Sequence, residues 1–83
     1  MEPRIALIGI IVEDRSASDK LNAVLHQYGG SIIGRMGLPQ ARPGISVISI
    51  VLDAPENEIS ALSGKLGMIP GVQSRVLFAR TAE

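Results

Sequence analysis

Residues Ile5–Val12 read Ile-Ala-Leu-Ile-Gly-Ile-Ile-Val, eight positions without one polar side chain. A strand with one wet face alternates apolar and polar residues, whereas a short continuous apolar run rich in β-branched side chains fits a strand covered on both faces. At eight residues the run is too short to span a bilayer. One domain of 83 residues covers one face of such a strand readily. The second face needs another cover. Ile45–Leu52, Ile-Ser-Val-Ile-Ser-Ile-Val-Leu, is a second run of the same kind and poses the same problem.

The rest of the chain reads as partners for these two strands. After Arg4–Val12, the polar loop Glu13-Asp14-Arg15-Ser16 leads into a helix, with Ser16 as the expected N-cap and Asp19 three residues on. Ala17, Leu21, Val24, Leu25 and Tyr28 form its apolar stripe, with Asp19, Asn22 and His26 on the opposite face. Gly29-Gly30 stops it, Gly29 in the place where a left-handed residue is usual. Ser31–Leu38 is a weaker strand interrupted by Gly34 and Gly37, and Pro39–Gly44 is turn material, so it should form a hairpin with Ile45–Leu52. Asp53-Ala54-Pro55 opens a second helix, with Pro55 at its first position and Ile59, Leu62 and Leu66 buried. Ala61 and Gly64 are small enough for close approach to a sheet, Gly67 ends the helix, and Val72–Ala79 is the last strand before a frayed Thr81–Glu83.

The order strand–helix–strand–strand–helix–strand, with right-handed crossovers in each half, defines an α+β, ferredoxin-like βαββαβ split sandwich. It is a four-stranded antiparallel sheet with two helices on one face, and the first and third strands form its central pair. We expect one domain over residues 1–83, with an ordered core of about 4–80. Parity turns Ile8, Ile10, Val12, Ile48, Ile50 and Leu52 toward the helices. It leaves Leu7, Gly9, Ile11, Val47, Ser49 and Val51 on the open face, a patch that calls for a homodimer or homotetramer.

Composition excludes several chemistries. Lys plus Arg equal Asp plus Glu at eight each, so there is no electrostatic footprint for nucleic acid or for an anionic membrane, and direct binding to either is not expected. The chain has no Cys, one His, one Tyr and one Phe. Base-stacking aromatics are missing from the central strands, which argues against single-stranded RNA recognition. Thiolate metal sites and a Cys nucleophile are ruled out, and one His does not assemble a nickel site. Acylphosphatase-type catalysis needs an Asn on the third strand, and Ile45–Leu52 has none. No catalytic residue, metal or cofactor is expected. Together with the absence of a leader-like start, these features point to a soluble cytoplasmic protein.

The small-molecule contact with most to recommend it is Glu13, Asp14, Arg15 and Ser16, at the end of a central strand and the start of a helix whose free N–H groups favour anions. An ordinary polar loop capped by Ser16 is the alternative. Arg35 has two readings, an anion contact at a subunit boundary or an edge-strand charge that blocks unwanted pairing. His26 reads as a surface histidine, and Lys65 in Ser63-Gly64-Lys65 lies mid-helix without the glycine-rich run of a phosphate loop.

Ile10–Arg15, followed by Leu21, Leu25, Tyr28-Gly29 and Ser31-Ile32, resembles the opening half of ACT domains, and Leu66, Ile69 and Gly71-Val72 resemble their second helix and last strand. The resemblance implies a regulatory module that pairs through strands or helices and often binds amino acids where the first loop of one copy meets another copy. Over Ile5 to Arg80 the chain is more similar still to the stand-alone ACT-like iron-only hydrogenase system regulators, through Val12–Arg15, Gly37–Pro39 and above all Ala61–Val72. That family shares a fold with the C-terminal domain of the nickel-responsive regulator, but the metal ligands are missing here. Amino-acid-binding ACT loops carry Asp-x-Pro-Gly, whereas this chain has Asp14-Arg15-Ser16-Ala17, so only Asp14 carries over. The implied function is non-catalytic regulation as an oligomer, by small-molecule or protein binding, with any transcriptional role exercised through a partner. The alternatives are a structural accessory protein without ligand and an amino-acid-binding ACT sensor.

Overall fold

The apolar runs pair with each other. In the computed structural model, which describes residues 2–80, β1 (Pro3–Val12) lies antiparallel to β3 (Ile45–Pro55), in register from Pro3 opposite Pro55 to Val12 opposite Ser46. A 3-10 turn (Arg15–Ala17) and α1 (Ser18–Gln27) lead to β2 (Ile32–Arg42), and α2 (Glu56–Gly67) leads to β4 (Val72–Phe78). The sheet order is β2-β3-β1-β4, antiparallel throughout, so the two most apolar strands are central and the two strands richer in polar residues are edges.

Parity decides the core. Ala6, Ile8, Ile10 and Val12 of β1 and Ile50, Leu52 and Ala54 of β3 are buried on the helix side. They meet Leu21 and Leu25 of α1 and Ile59, Leu62 and Leu66 of α2, the stripes set by helical spacing. Ile48, Val24 and Tyr28 pack partly buried against this cluster. Each fully buried Leu or Ile contributes about 1.5–3 kcal/mol relative to exposure. Among the described residues no helix is long and apolar enough to cross a membrane.

Several boundaries differ from the sequence reading, each for a physical reason. The Ser31–Leu38 strand runs on to Arg42, and the turn shrinks to Pro43-Gly44. Because β2 is an edge, Pro39 leaves no ladder donor missing within the sheet. A register shift between Leu38 and Arg42, with Gln40 at φ 55°, absorbs the extra residues. Ser16 is not the helix cap. Asp14 caps the 3-10 turn, and α1 begins at Ser18 with no side-chain cap. Gly29 is not left-handed, because the positive-φ glycines are Gly44 and Gly71; the α1 terminus closes instead through Tyr28 and Gly29 N–H bonds to Leu25 and His26 carbonyls. Pro55 caps α2 from the end of β3 rather than taking the first helical position, while the helix ends at Gly67 as expected. Ala61 and Gly64 face outward, exposed, so their small size does not serve helix–sheet approach. The expected tail Thr81–Glu83 lies outside the described residues.

Candidate functional site

The β1 exit loop is held by its own groups and by the turn before β4. Asp14 Oδ1 accepts from the Ser16 hydroxyl at 2.7 Å and from the Ser16 backbone N–H at 2.9 Å. Those two donors, the hydroxyl first, hold the Asp14 carboxyl below its ordinary value. Glu13 N–H donates to the Gly71 carbonyl at 2.7 Å, and Gln73 Nε2 donates to Glu13 Oε1 at 3.2 Å. Gly71, at φ 82°, lies so close under Asp14 that a Cβ there would overlap the Asp14 Cβ. Arg15 is exposed at the head of the 3-10 turn. The loop is therefore a well-fixed polar corner in which both carboxylates, Glu13 and Asp14, already accept hydrogen bonds from within the chain.

Arg35 sits elsewhere. It pairs with Ile50 and so points to the helix side of β2, where Nη2 donates to Asn22 Oδ1 of α1 at 3.2 Å. It lines a groove between α1 and β2, and Glu13–Ser16 line none of that groove. The structure therefore brings Glu13, Asp14 and Ser16 together and leaves Arg35 with a different set of neighbours. Asn22 and His26, assigned by helical phase to a plain wet face, join Arg35 there. Their i, i+4 spacing puts them on one ridge, but which strand faces that ridge follows only from the sheet order.

The open sheet face carries Leu7, Gly9 and Ile11 of β1 and Val47, Ser49 and Val51 of β3, opposite one another in the ladder. The sheet adds residues that the reading of the central strands left out: Met36 and Leu38 from β2, Leu77 from β4 and Ile5 from β1. Ile5 is 43% exposed, Leu7 39%, Met36 60%, Leu38 52% and Leu77 67%, so five of the seven exposed large hydrophobics among the described residues share this face. Ile5, Leu7, Val51 and Leu77, with Phe78 at the margin, enclose a shallow apolar depression of about 370 Å³. Continuing the period of two along β1 and β4 finds Ile5 and Leu77; Met36 and Leu38 require the β2 register, which the irregularity at Ile33 obscures.

No group of three or more His, Cys, Asp or Glu side chains suited to a metal occurs among the described residues. Arg4, half-buried, bonds to Glu56 Oε1 at 2.9 Å and to the Ala79 carbonyl at 3.0 Å, and its guanidinium lies 4.6 Å from the Phe78 ring centroid. It staples β1 to α2 and to the end of β4. Lys65 stacks over Tyr28 at 5.1 Å, tying α2 to the end of α1 rather than reaching toward a phosphate.

Two strand–helix–strand halves around a β2-β3-β1-β4 sheet define an ACT-like, ferredoxin-like domain. The ACT domain of the GTP pyrophosphokinase of Chlorobium tepidum superimposes with a TM-score of 0.75 at 20% identity, covering 90% of this chain and 99% of that one. The C-terminal domain of MgtC from Mycobacterium tuberculosis gives 0.73 at 16% identity, with 98% and 93% covered. At those identities the likeness is one of fold. The chain belongs to the TM1266-like family, described as candidate iron-only hydrogenase system regulators, whose model matches residues 4–76. Protein TM1266 of Thermotoga maritima is 36% identical, with a TM-score of 0.90 over 95% of this chain and all of that one. No curated protein matches the chain.

Proposed function

We propose that this chain is a non-catalytic regulator that works as a homo-oligomer, its copies joined through the open sheet face, and that it acts by binding a small molecule or a partner protein. Its family description supports the regulatory half of this reading. The observation that carries the assembled state is the apolar face of Ile5, Leu7, Met36, Leu38 and Leu77. Monomers rarely leave a contiguous apolar patch larger than a few hundred Å² against water.

A second copy suits the face because its charges are few and of both signs. Asp53 lies at one end of β3, Arg75 lies opposite Gly9 on β4, and Arg42 lies opposite Ile45 near the hairpin. With strands about 4.8 Å apart and about 3.4 Å per residue, Arg75 and Asp53 lie on a diagonal across Leu7, so a two-fold axis between the sheets, over Leu7 and perpendicular to that diagonal, would lay Arg75 of one copy over Asp53 of the other. The same stacking puts Leu7 against its own mate, as a self-complementary interface requires.

Sedimentation velocity at micromolar concentration tests this. The expected result is a dimer or larger assembly that Leu77→Glu dissociates, that Arg75→Glu weakens, and that Arg75→Glu with Asp53→Arg restores. A monomeric wild type overturns the reading. For the binding half, thermal shift against amino acids and nucleotides should show reproducible stabilisation; silence across the panel favours an accessory protein without ligand. Amino-acid sensing at the first loop has less support, since Asp14 already accepts two hydrogen bonds from Ser16.

A further inference from the structure

We propose that the groove between α1 and β2 seats a small aliphatic monocarboxylate, its head on Arg35 and its tail over Gly37; this rests on the small-molecule part of the function proposed above. The groove has two recesses that meet at Arg35 and Asn22. One, of about 390 Å³, adds Leu25, His26 and Ile32 to that pair. The other, of about 250 Å³, runs along β2 over Gly37 and is floored by Leu21 and Ile48.

The head group follows from charge. Arg35 gives one N–H to Asn22 over 3.2 Å, a long bond that leaves most of its fork unspent. Among the described residues no acidic side chain lines either recess, so none of them gives the guanidinium a counter-ion in the groove. Among the described residues the guanidinium's hydrogen bond is to the Asn22 amide oxygen and not to the carbonyls at the α1 C-terminus. A planar carboxylate matches the free fork, with the Asn22 amide and His26 imidazole beside it.

The tail follows from Gly37. It pairs with Ile48, so its missing side chain would point into the second recess, and a Cβ built there meets nothing within 4 Å. The lining is mostly apolar, from Leu21, Leu38, Pro39, Val47 and Ile48, with Ser18 and Ser46 also present, and it has room for an aliphatic chain of a few carbons lying along the strand. Gly37 takes no positive φ, so a side chain there fills the recess without backbone strain.

Titration of the ¹⁵N-labelled full chain with sodium hexanoate, sodium acetate and 1-hexanol reads this directly. Hexanoate should give saturable shifts at Asn22, His26, Arg35 and Gly37. At about two- to fourfold per buried methylene, acetate should bind roughly tenfold or more weakly, and hexanol should not bind. Arg35→Gln should abolish hexanoate binding, and Gly37→Val should reduce hexanoate to the affinity of acetate. Equal affinity for acetate and hexanoate overturns the tail assignment, and equal binding of hexanol overturns the head. Shifts confined to the open sheet face or to Glu13–Ser16, or no saturable shift, overturn the site. Sedimentation of the same samples separates the two proposals: an oligomer with a silent groove refutes this site alone, and a monomer that binds hexanoate refutes the assembly alone.

Discussion

Gly44 and Gly71 share one backbone conformation, φ 83° and 82°, in unlike surroundings. Over Gly44 a Cβ meets nothing within 4 Å, while over Gly71 it overlaps the Asp14 Cβ and comes within 3.3 Å of Asp14 N and 3.4 Å of Asp14 Cα. These are atoms that no rotamer change moves. For Gly44→Ala the cost is the left-handed backbone, about 1–2 kcal/mol, partly offset by about 0.4–1 kcal/mol from the stiffer unfolded chain. The net loss is therefore about 1 kcal/mol. Gly71→Ala adds an overpacking cost of about 1–3 kcal/mol, for a total of about 2–4 kcal/mol. With a urea slope of about 1 kcal/mol/M for a chain this small, the midpoint should fall by about 1 M in the first variant and about 2–4 M in the second. The second loss consumes much of a stability near ~5 kcal/mol. Urea unfolding followed by far-UV circular dichroism, at one fixed protein concentration because assembly adds to apparent stability, measures both. Equal midpoint shifts would refute the close seating of the β1 exit loop on the turn before β4.

Ser16 donates two hydrogen bonds to Asp14, so the Asp14 carboxyl should titrate below its ordinary 3.8, and Ser16→Ala should move it back up in a carboxyl-detected NMR titration. Because the folded value is depressed, its contribution to stability is present above that ordinary value and lost as pH falls through the folded one, so acid unfolding of Ser16→Ala should be less steep below pH 3.8. An unchanged Asp14 titration in Ser16→Ala would contradict the cap. Ile59→Ala, at a position with no exposure, should cost about 2–5 kcal/mol in urea unfolding; a loss below 1 would mean that α2 does not pack as described. Gly64→Ala, on the outer face of α2 with nothing within 4 Å, should raise stability by about 0.4–1 kcal/mol, and a loss would place Gly64 against the sheet after all.

Much of the fold was legible because the chain's strongest patterns are also its most local ones. Continuous apolar runs at Ile5–Val12 and Ile45–Leu52 fixed the central strands, and the i, i+3, i+4 spacings of Leu21, Leu25, Ile59, Leu62 and Leu66 fixed which helical faces turn inward. Misreadings arose where two residues compete for one job. Asp14 and Ser16 both suit a helix cap, and only the geometry shows the carboxylate accepting while the hydroxyl donates. Pro39 reads as a breaker unless β2 is known to be an edge. The glycines were half legible: α1 stops just before Gly29 and α2 ends at Gly67 as expected, but the left-handed glycines are Gly44 and Gly71, not Gly29. The groove was the least legible feature, because Asn22 and His26 acquire meaning only once Arg35 of β2 is placed across from them.

The open sheet face is best tested by methyl relaxation with a soluble paramagnetic agent. In the single chain Leu77 is 67% exposed and Met68, away from the sheet at the end of α2, is 83% exposed. If copies meet through this face, the Leu77 and Leu7 methyls will be protected while Met68 is strongly broadened. Broadening of all three in proportion to their single-chain exposure would contradict assembly through the sheet.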